Sequence, residues 1–277
     1  MEATSQVIGD AHDIIFGKKD STKDDLPSHS LQPNMASPLA QDDVQVSLIS
    51  DPKDLAGAFH TQYASFGVQT HDSIWLTINP RWDTPEGVAE GVGRLTARFN
   101  SITRNNAGEP NTLFVKATVD GQIAGFAIWQ QASFVEGYGD PPTDDLGGKE
   151  EIEKLHPGNE TEQRFTSQIF ASLMKRRISY VHEKEKASPP ATFVLDICSV
   201  DPKYQRRGIA SKLVKFGLDE AKKRGLEATT EASVMGRSVY EKLGFWGQGM
   251  VGFEMDEEFK GRDKPPNVFM RTGGPPE

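Results

Sequence analysis

Cysteine is almost missing from this chain. The one thiol in 277 residues, Cys198, cannot close an internal disulfide, which points to a reducing compartment, the cytoplasm, with the nucleus left open. Positive charge is also short. Lys and Arg number 31 against 40 Asp and Glu, and the net charge of -9 argues against a nucleic-acid partner, which needs a broad basic face. No apolar run approaches the ~20 residues that cross a bilayer, and "MEATSQVIGD" lacks the basic-then-apolar layout of a secretory signal, so no membrane partner is expected. His60, His71, His156 and His182 are dispersed and show no metal-ligand spacing with each other or with Cys198, so no metal is expected. Two nucleotide signatures are absent as well. No lysine-serine or lysine-threonine pair follows a glycine loop, which excludes a Walker A site, and no Gly-x-Gly-x-x-Gly marks a Rossmann site.

What is present reads as one soluble α/β unit, 36% hydrophobic and 26% charged, with no internal repeat. Residues 1–43 are rich in Ser, Pro, Asp and Lys without apolar periodicity and are expected to form a disordered arm; the domain is expected to span 44–277. "VQVSLIS" reads as a strand, Asp51-Pro52 as a helix N-cap with proline at the first position, 67–85 as an aromatic-rich loop, and 86–103 as a helix. Asp120-Gly121 between two apolar runs marks a hairpin. Residues 131–190 read as an insertion lining a substrate pocket, carrying a helix from about Thr161 to Ala187 that Pro189-Pro190 stops. Within it, "KRR" at 175–177 reads as a solvated helix face. Then follow a strand at 191–200, a helix from Ile209 to Arg224, a strand "LEATTEA", a short helix near 236–242, and strands in "FWGQGMVGFEM" and "PNVFMRT".

The stretch that carries chemistry is "YQRRGIA" (204–210). It follows a strand and a Val-Asp-Pro stop and opens an amphipathic helix. Such a turn leaves the first helical N–H groups unpaired beside the positive end of the helix dipole, where an anionic phosphate satisfies them. Downstream, "EASVMGRSVYEKLGF" places a tyrosine on a short helix after the next strand, followed by Gly-Phe. Taken jointly, these motifs resemble the GNAT superfamily of N-acetyltransferases, and in particular its single-domain members from filamentous fungi. The specific match covers about 191–250.

The resemblance implies an α/β fold whose mixed, mostly antiparallel sheet splays around strands 4 and 5, with helices on both faces and a helical insertion. It implies acetyl-CoA as acetyl donor. In the family the loop that falls on Gln205, Gly208 and Ala210 holds the pyrophosphate through its amides, with Arg206, Arg207, Ile209 and Ser211 completing the shell. Cys198, Ser199 and Val200 would pair by backbone with the pantetheine arm, one amide polarising the acetyl carbonyl. Ser233 stands where an asparagine often contacts that arm. Tyr240 matches the tyrosine that protonates the leaving thiolate.

For the base that takes the amine's proton, Asp196 ranks ahead of Glu231, since by alternation it shares a strand face with Cys198 and Val200. Cys198 itself reads as a small buried hydrophobe rather than a nucleophile. The expected function is direct acetyl transfer to an amine, a small molecule before a protein lysine or N-terminus. A non-catalytic acyl-CoA sensor is the rival reading.

Overall fold

The hairpin is the nucleus around which the sheet is laid out. In the computed structural model, which describes residues 44–274, β2 (Thr112–Val119) turns at Asp120-Gly121 into β3 (Gln122–Ala132). Both turn residues have positive φ, 49° and 75°, as a tight primed turn demands. β1 (Gln45–Leu48) adds antiparallel to β2, and β4 (Thr192–Val200) adds antiparallel to β3. β5 (Glu227–Ala232) is the parallel partner of β4, followed by β7 (Val268–Arg271) and the edge strand β6 (Trp246–Met250). The result is a seven-stranded open sheet in the order β1-β2-β3-β4-β5-β7-β6, antiparallel except at β4–β5.

Each face is closed by helices whose apolar stripes match it. On one face, α1 (Asp54–Gln62) and α3 (Pro85–Asn100) bury Leu55, Phe59, Val88, Val92 and Leu95 against Phe114, Phe126 and Ile128. On the other, α6 (Ile209–Lys223) buries Ile209, Leu213 and Val214 against Val115, Trp129 and Phe193. Gly217 lets α6 sit this close, because a Cβ there would lie 1.9 Å from the Trp129 ring. This packing fixes the α6 N-terminus at the end of β4.

Two features of β4 position the site. Its pairing to β5 covers only Thr192–Val194, so beyond Val194 the two strands part. Opposite β3, Ile128 pairs with Ile197 and Trp129 with Leu195, which leaves Asp196 as the extra residue of a β-bulge. The bulge shifts the alternation by one. Ile197 joins the α1/α3 core while Cys198 and Val200 join the α6 core. The simple alternation that put Asp196 on one face with Cys198 and Val200 therefore fails at the bulge.

Elsewhere the structure corrects local expectations. α1 starts at Asp54; Asp51 accepts the Lys53 N–H just before it rather than capping the helix. The aromatic stretch 67–85 is partly helical: the tail of a π-helical turn (Tyr63–Gln69), then α2 (Ser73–Ile78). The 131–190 segment carries α4 (Gly148–Leu155) and α5 (Glu160–Glu183), the latter ending before Pro189-Pro190. α7 (Val234–Lys242) starts two residues ahead of the expected short helix. The expected arm, 1–43, lies outside the described residues. Among those described, no helix is long and apolar enough to cross a membrane.

Candidate active site

The turn between β4 and α6 is shaped by local constraints. Asp201 ends β4 and accepts the Lys203 N–H, opening a 3-10 turn at Pro202–Tyr204. Arg206 and Gly208 both adopt positive φ, 66° and 76°, and Gly208 is the α6 N-cap with no side-chain cap bond. Among the described residues no side chain caps the first α6 amides, which leaves an anion nest at the turn. Gln205 braces the turn, donating to the Val200 carbonyl at 3.1 Å and exchanging hydrogen bonds with Gln69. Its side chain therefore serves the turn itself. Arg207 does not line the cavity: its guanidinium lies 5.5 Å from the Tyr204 ring centroid.

Two cavities flank the parted strands. The larger, about 770 Å³, runs along Cys198–Val200, the turn from Gln205 to Ser211 and the start of α7. The smaller, about 450 Å³, lies over the bulge and is walled by α2 and α5. They meet at a common boundary of Phe66, Asp72, Cys198, Ser233, Tyr240 and Asn267. Along the larger cavity the β5-facing edge of β4 has no strand partner past Val194. The Ser199 hydroxyl is turned the other way, 2.7 Å from Thr61, so what Ser199 offers the cavity is backbone. Ser233 spends its side chain on capping α7 through the Gly236 N–H.

Tyr240 comes to the boundary near the end of α7, where Gly236 leaves room for its ring. A Cβ on Gly236 would sit 2.7 Å from the Tyr240 ring. The ring is 7% exposed, and the Cys198 thiol is the neighbour that acts on its hydroxyl. Burial, then the neighbouring Cys198, holds the phenol well above its ordinary pKa, so it stays protonated. Burial also pushes the Cys198 thiol up to about 12 against the opposing Tyr240 hydrogen bond, which leaves no thiolate for nucleophilic work near neutrality.

The two carboxylates expected as base candidates are held by arginines. Arg177 on α5 donates to Asp196 at 2.6 Å and grips Glu231 through both Nε and a terminal nitrogen. Arg98 on α3 reaches the second Asp196 oxygen at 2.8 Å and Gln130 at 3.3 Å. Burial alone would raise the Asp196 pKa; Arg98 and Arg177 outweigh it and hold the carboxyl well below the usual range. Arg177 is likewise desolvated, yet Glu231 and Asp196 keep its pKa above the ordinary value. "KRR" is thus not a solvated face at its third residue: Arg177 is buried and bridges the gap between β4 and β5.

The profile of the acetyltransferase (GNAT) family matches residues 80–245, more than half of the chain. The chain belongs to that family. No curated protein matches it in sequence. Among solved structures, the Drosophila melanogaster polyamine N-acetyltransferase, an enzyme that forms N-acetylagmatine, superposes with a TM-score of 0.52 at 15% identity, covering 83% of this chain and 97% of that one. Arylalkylamine N-acetyltransferase 2 from Aedes aegypti gives 0.51 at 17% identity, covering 83% and 98%. At these identities the likeness shows the shared GNAT fold.

Within this GNAT domain, ten of the eleven expected cofactor positions line the larger cavity, Arg207 being the exception, and Tyr240 stands at its junction with the smaller one. Asp196 and Glu231 line only the smaller cavity. Sequence reasoning missed Asp72. It caps α2 by accepting the Trp75 N–H at 2.9 Å, and it lines both cavities without an ion pair among the described residues. Burial raises its pKa against the Trp75 and Ile74 amides. The available signal is an Asp-Ser step before an apolar run inside the aromatic stretch, the pattern of a helix N-cap. Among the described residues no group of His, Cys, Asp and Glu has the makings of a metal site.

Proposed function

We propose that the chain is an acetyl-CoA-dependent N-acetyltransferase that moves the acetyl group directly to a small-molecule amine. The observation that carries this is the meeting of two cavities at Tyr240 and Cys198, next to a helix N-terminus with uncapped amides. The residues present fit the donor. The amides of Gly208 to Ser211 and the exposed Arg206 would take the pyrophosphate. The free edge of Cys198–Val200 would take the pantetheine arm as an added strand and aim an N–H at the acetyl carbonyl. The donor supplies the activated thioester; the rest is the chain's own arrangement.

In this reading Asp72, rather than Asp196 or Glu231, receives the amine's proton. Both of the latter are committed to arginines, whereas Asp72 is uncompensated and stands where the cavities join. The amine nitrogen forms its bond to the acetyl carbon as the carbon–sulfur bond breaks, and Tyr240 hands its proton to the leaving thiolate. The solved polyamine and arylalkylamine acetyltransferases of this fold support a small amine as acceptor.

The test is thiol release from acetyl-CoA over an amine panel, with Tyr240→Phe and Asp72→Asn beside the parent. Asparagine caps a helix as well as aspartate does, so Asp72→Asn removes the base and keeps the cap. The parent is expected to turn over with an acidic limb set above the ordinary carboxylate value. Asp72→Asn is expected to lose about 10²-fold in kcat together with that limb. A protein with no affinity for CoA by calorimetry would overturn the proposal.

A further inference from the structure

The smaller cavity carries a charge inventory that restricts what the acceptor can be. Among the described residues five charged side chains line it: Asp72, Arg98, Arg177, Asp196 and Glu231. Four of them form one continuous chain of contacts, Arg98 to Asp196 to Arg177 to Glu231, with two cations and two anions. That chain is neutral as a unit. Its carboxylate oxygens are occupied: both of Asp196's by Arg98 and Arg177, both of Glu231's by Arg177. Asp72 is the lining carboxylate outside this chain, and it alone also borders the donor cavity. Among the described residues the site thus holds one carboxylate without a cationic partner, at the junction.

The remaining walls are mostly apolar, with Gln130, Thr143, Thr230, Ser233, Tyr240 and Asn267 as the polar exceptions. Phe170, Leu173 and Met174 project from α5 at the spacing that places them on one helix face with Arg177, and Phe66, Ile74 and Trp75 close the opposite side. A second positive charge placed deep in this cavity would meet Arg98 and Arg177 and find no free anion. It would lose its hydration without repayment. An apolar body repays its desolvation there.

Resting on the transferase reading above, we infer that the acceptor is a monoamine with an apolar body, its single ammonium received at Asp72, and that the arginine-clamped carboxylates exclude di- and polycationic amines. Asp196 and Glu231 are positioning residues in this view. They hold Arg177 across the gap between β4 and β5 and, with Arg98, keep the cavity floor neutral. The polyamine enzyme of similar fold is therefore the wrong guide to the acceptor, although it shares the architecture.

The experiment compares kcat/KM for phenethylamine, agmatine and spermidine in the parent, Arg98→Gln and Arg98→Lys. The parent is expected to prefer phenethylamine over either polycation by about tenfold or more. Arg98→Gln strips one cation from Asp196 and is expected to narrow that ratio on the order of tenfold, the scale of one partly screened charge contact. Arg98→Lys keeps the charge and is expected to leave the ratio near the parent's. A parallel arm records the melting temperature of the CoA-bound parent with each amine, so binding is read apart from turnover and without a variant. Equal use of agmatine or spermidine by the parent would overturn the inference, as would a ratio that Arg98→Gln does not move. Stabilisation by phenethylamine alone with no thiol release would sink the transferase reading and leave the cavity assignment supported. No stabilisation and no turnover with phenethylamine would sink both.

Discussion

Removing the Arg177 cation tests the central electrostatic claim without reference to any substrate. Arg177→Met preserves the apolar stem that runs along α5 and deletes three hydrogen bonds, two to Glu231 and one to Asp196. The Glu231 side chain is 4% exposed and is left with no cation; Asp196, at 18%, keeps Arg98. Breaking a buried pair in this way costs about 3–5 kcal/mol, because a desolvated charge is stranded. The surviving Arg98 contact places the expected loss near the lower end, about 3 kcal/mol. With a urea slope of about 2–3 kcal/mol per molar, the midpoint should fall by about 1–1.5 M.

The pH dependence has a definite sign. In the parent, Asp196 has a depressed folded pKa, so its stabilisation is present above the unfolded carboxylate value of about 4 and is lost as pH falls toward the folded one. In Arg177→Met, Asp196 loses one of the two cations that hold its pKa down and takes up protons more readily than in the parent. The deficit should be largest near neutrality and shrink as pH approaches about 4. Adding Glu231→Gln to Arg177→Met should recover roughly half or more of the loss, since a neutral amide tolerates burial better than an unpaired carboxylate. Urea melts of the three proteins at several pH values decide it. A loss below about 1 kcal/mol at pH 7, or a deficit that does not shrink on acidification, would refute the reasoning.

Other perturbations reach the junction more directly. Tyr240→Phe should lower kcat by about 10²-fold while CoA affinity by calorimetry stays within a few-fold, because only the proton donor is lost. Gly236→Ala should push the Tyr240 ring out of place, given the 2.7 Å approach, and lower kcat more than it weakens CoA binding. Gly208→Ala puts a Cβ on a residue at φ 76° and should cost about 1–2 kcal/mol in urea melts as well as weakening CoA binding. Cys198, with its thiol pushed up to about 12, should resist iodoacetamide at pH 8 in the folded protein and react once it is unfolded; rapid alkylation of the native protein would contradict the burial argument.

Much of the site was legible in sequence because it is built from short, contiguous stretches. A Val-Asp-Pro stop, a glycine that takes positive φ and an amphipathic helix behind it specify an uncapped helix N-terminus through local sterics alone. The same holds for Asp120-Gly121, and for Tyr240 at fixed distance from the Ser233 cap. Asp196 and Glu231 were singled out, but the charge pairing around the smaller cavity was not legible, since its parts are far apart in the chain. Asp72, Arg98, Arg177, Asp196 and Glu231 come from α2's cap, α3, α5, β4 and β5.

Sequence by itself determined the order of the strands and of the longer helices, the uncapped turn before α6 and the position of the tyrosine, all consequences of backbone preference and apolar period. Only the tertiary structure decided which charges meet. The β4 bulge rotates Asp196 out of the expected alternation, and the parting of β4 from β5 opens a gap that needs a cation. α5 then carries Arg177 into that gap, turning two candidate bases into ion-paired supports. The uncompensated carboxylate at the junction is Asp72, and nothing in its local sequence shows that its partners are missing. Pairing is set by long-range packing, and a one-dimensional pattern does not encode which buried charge finds which.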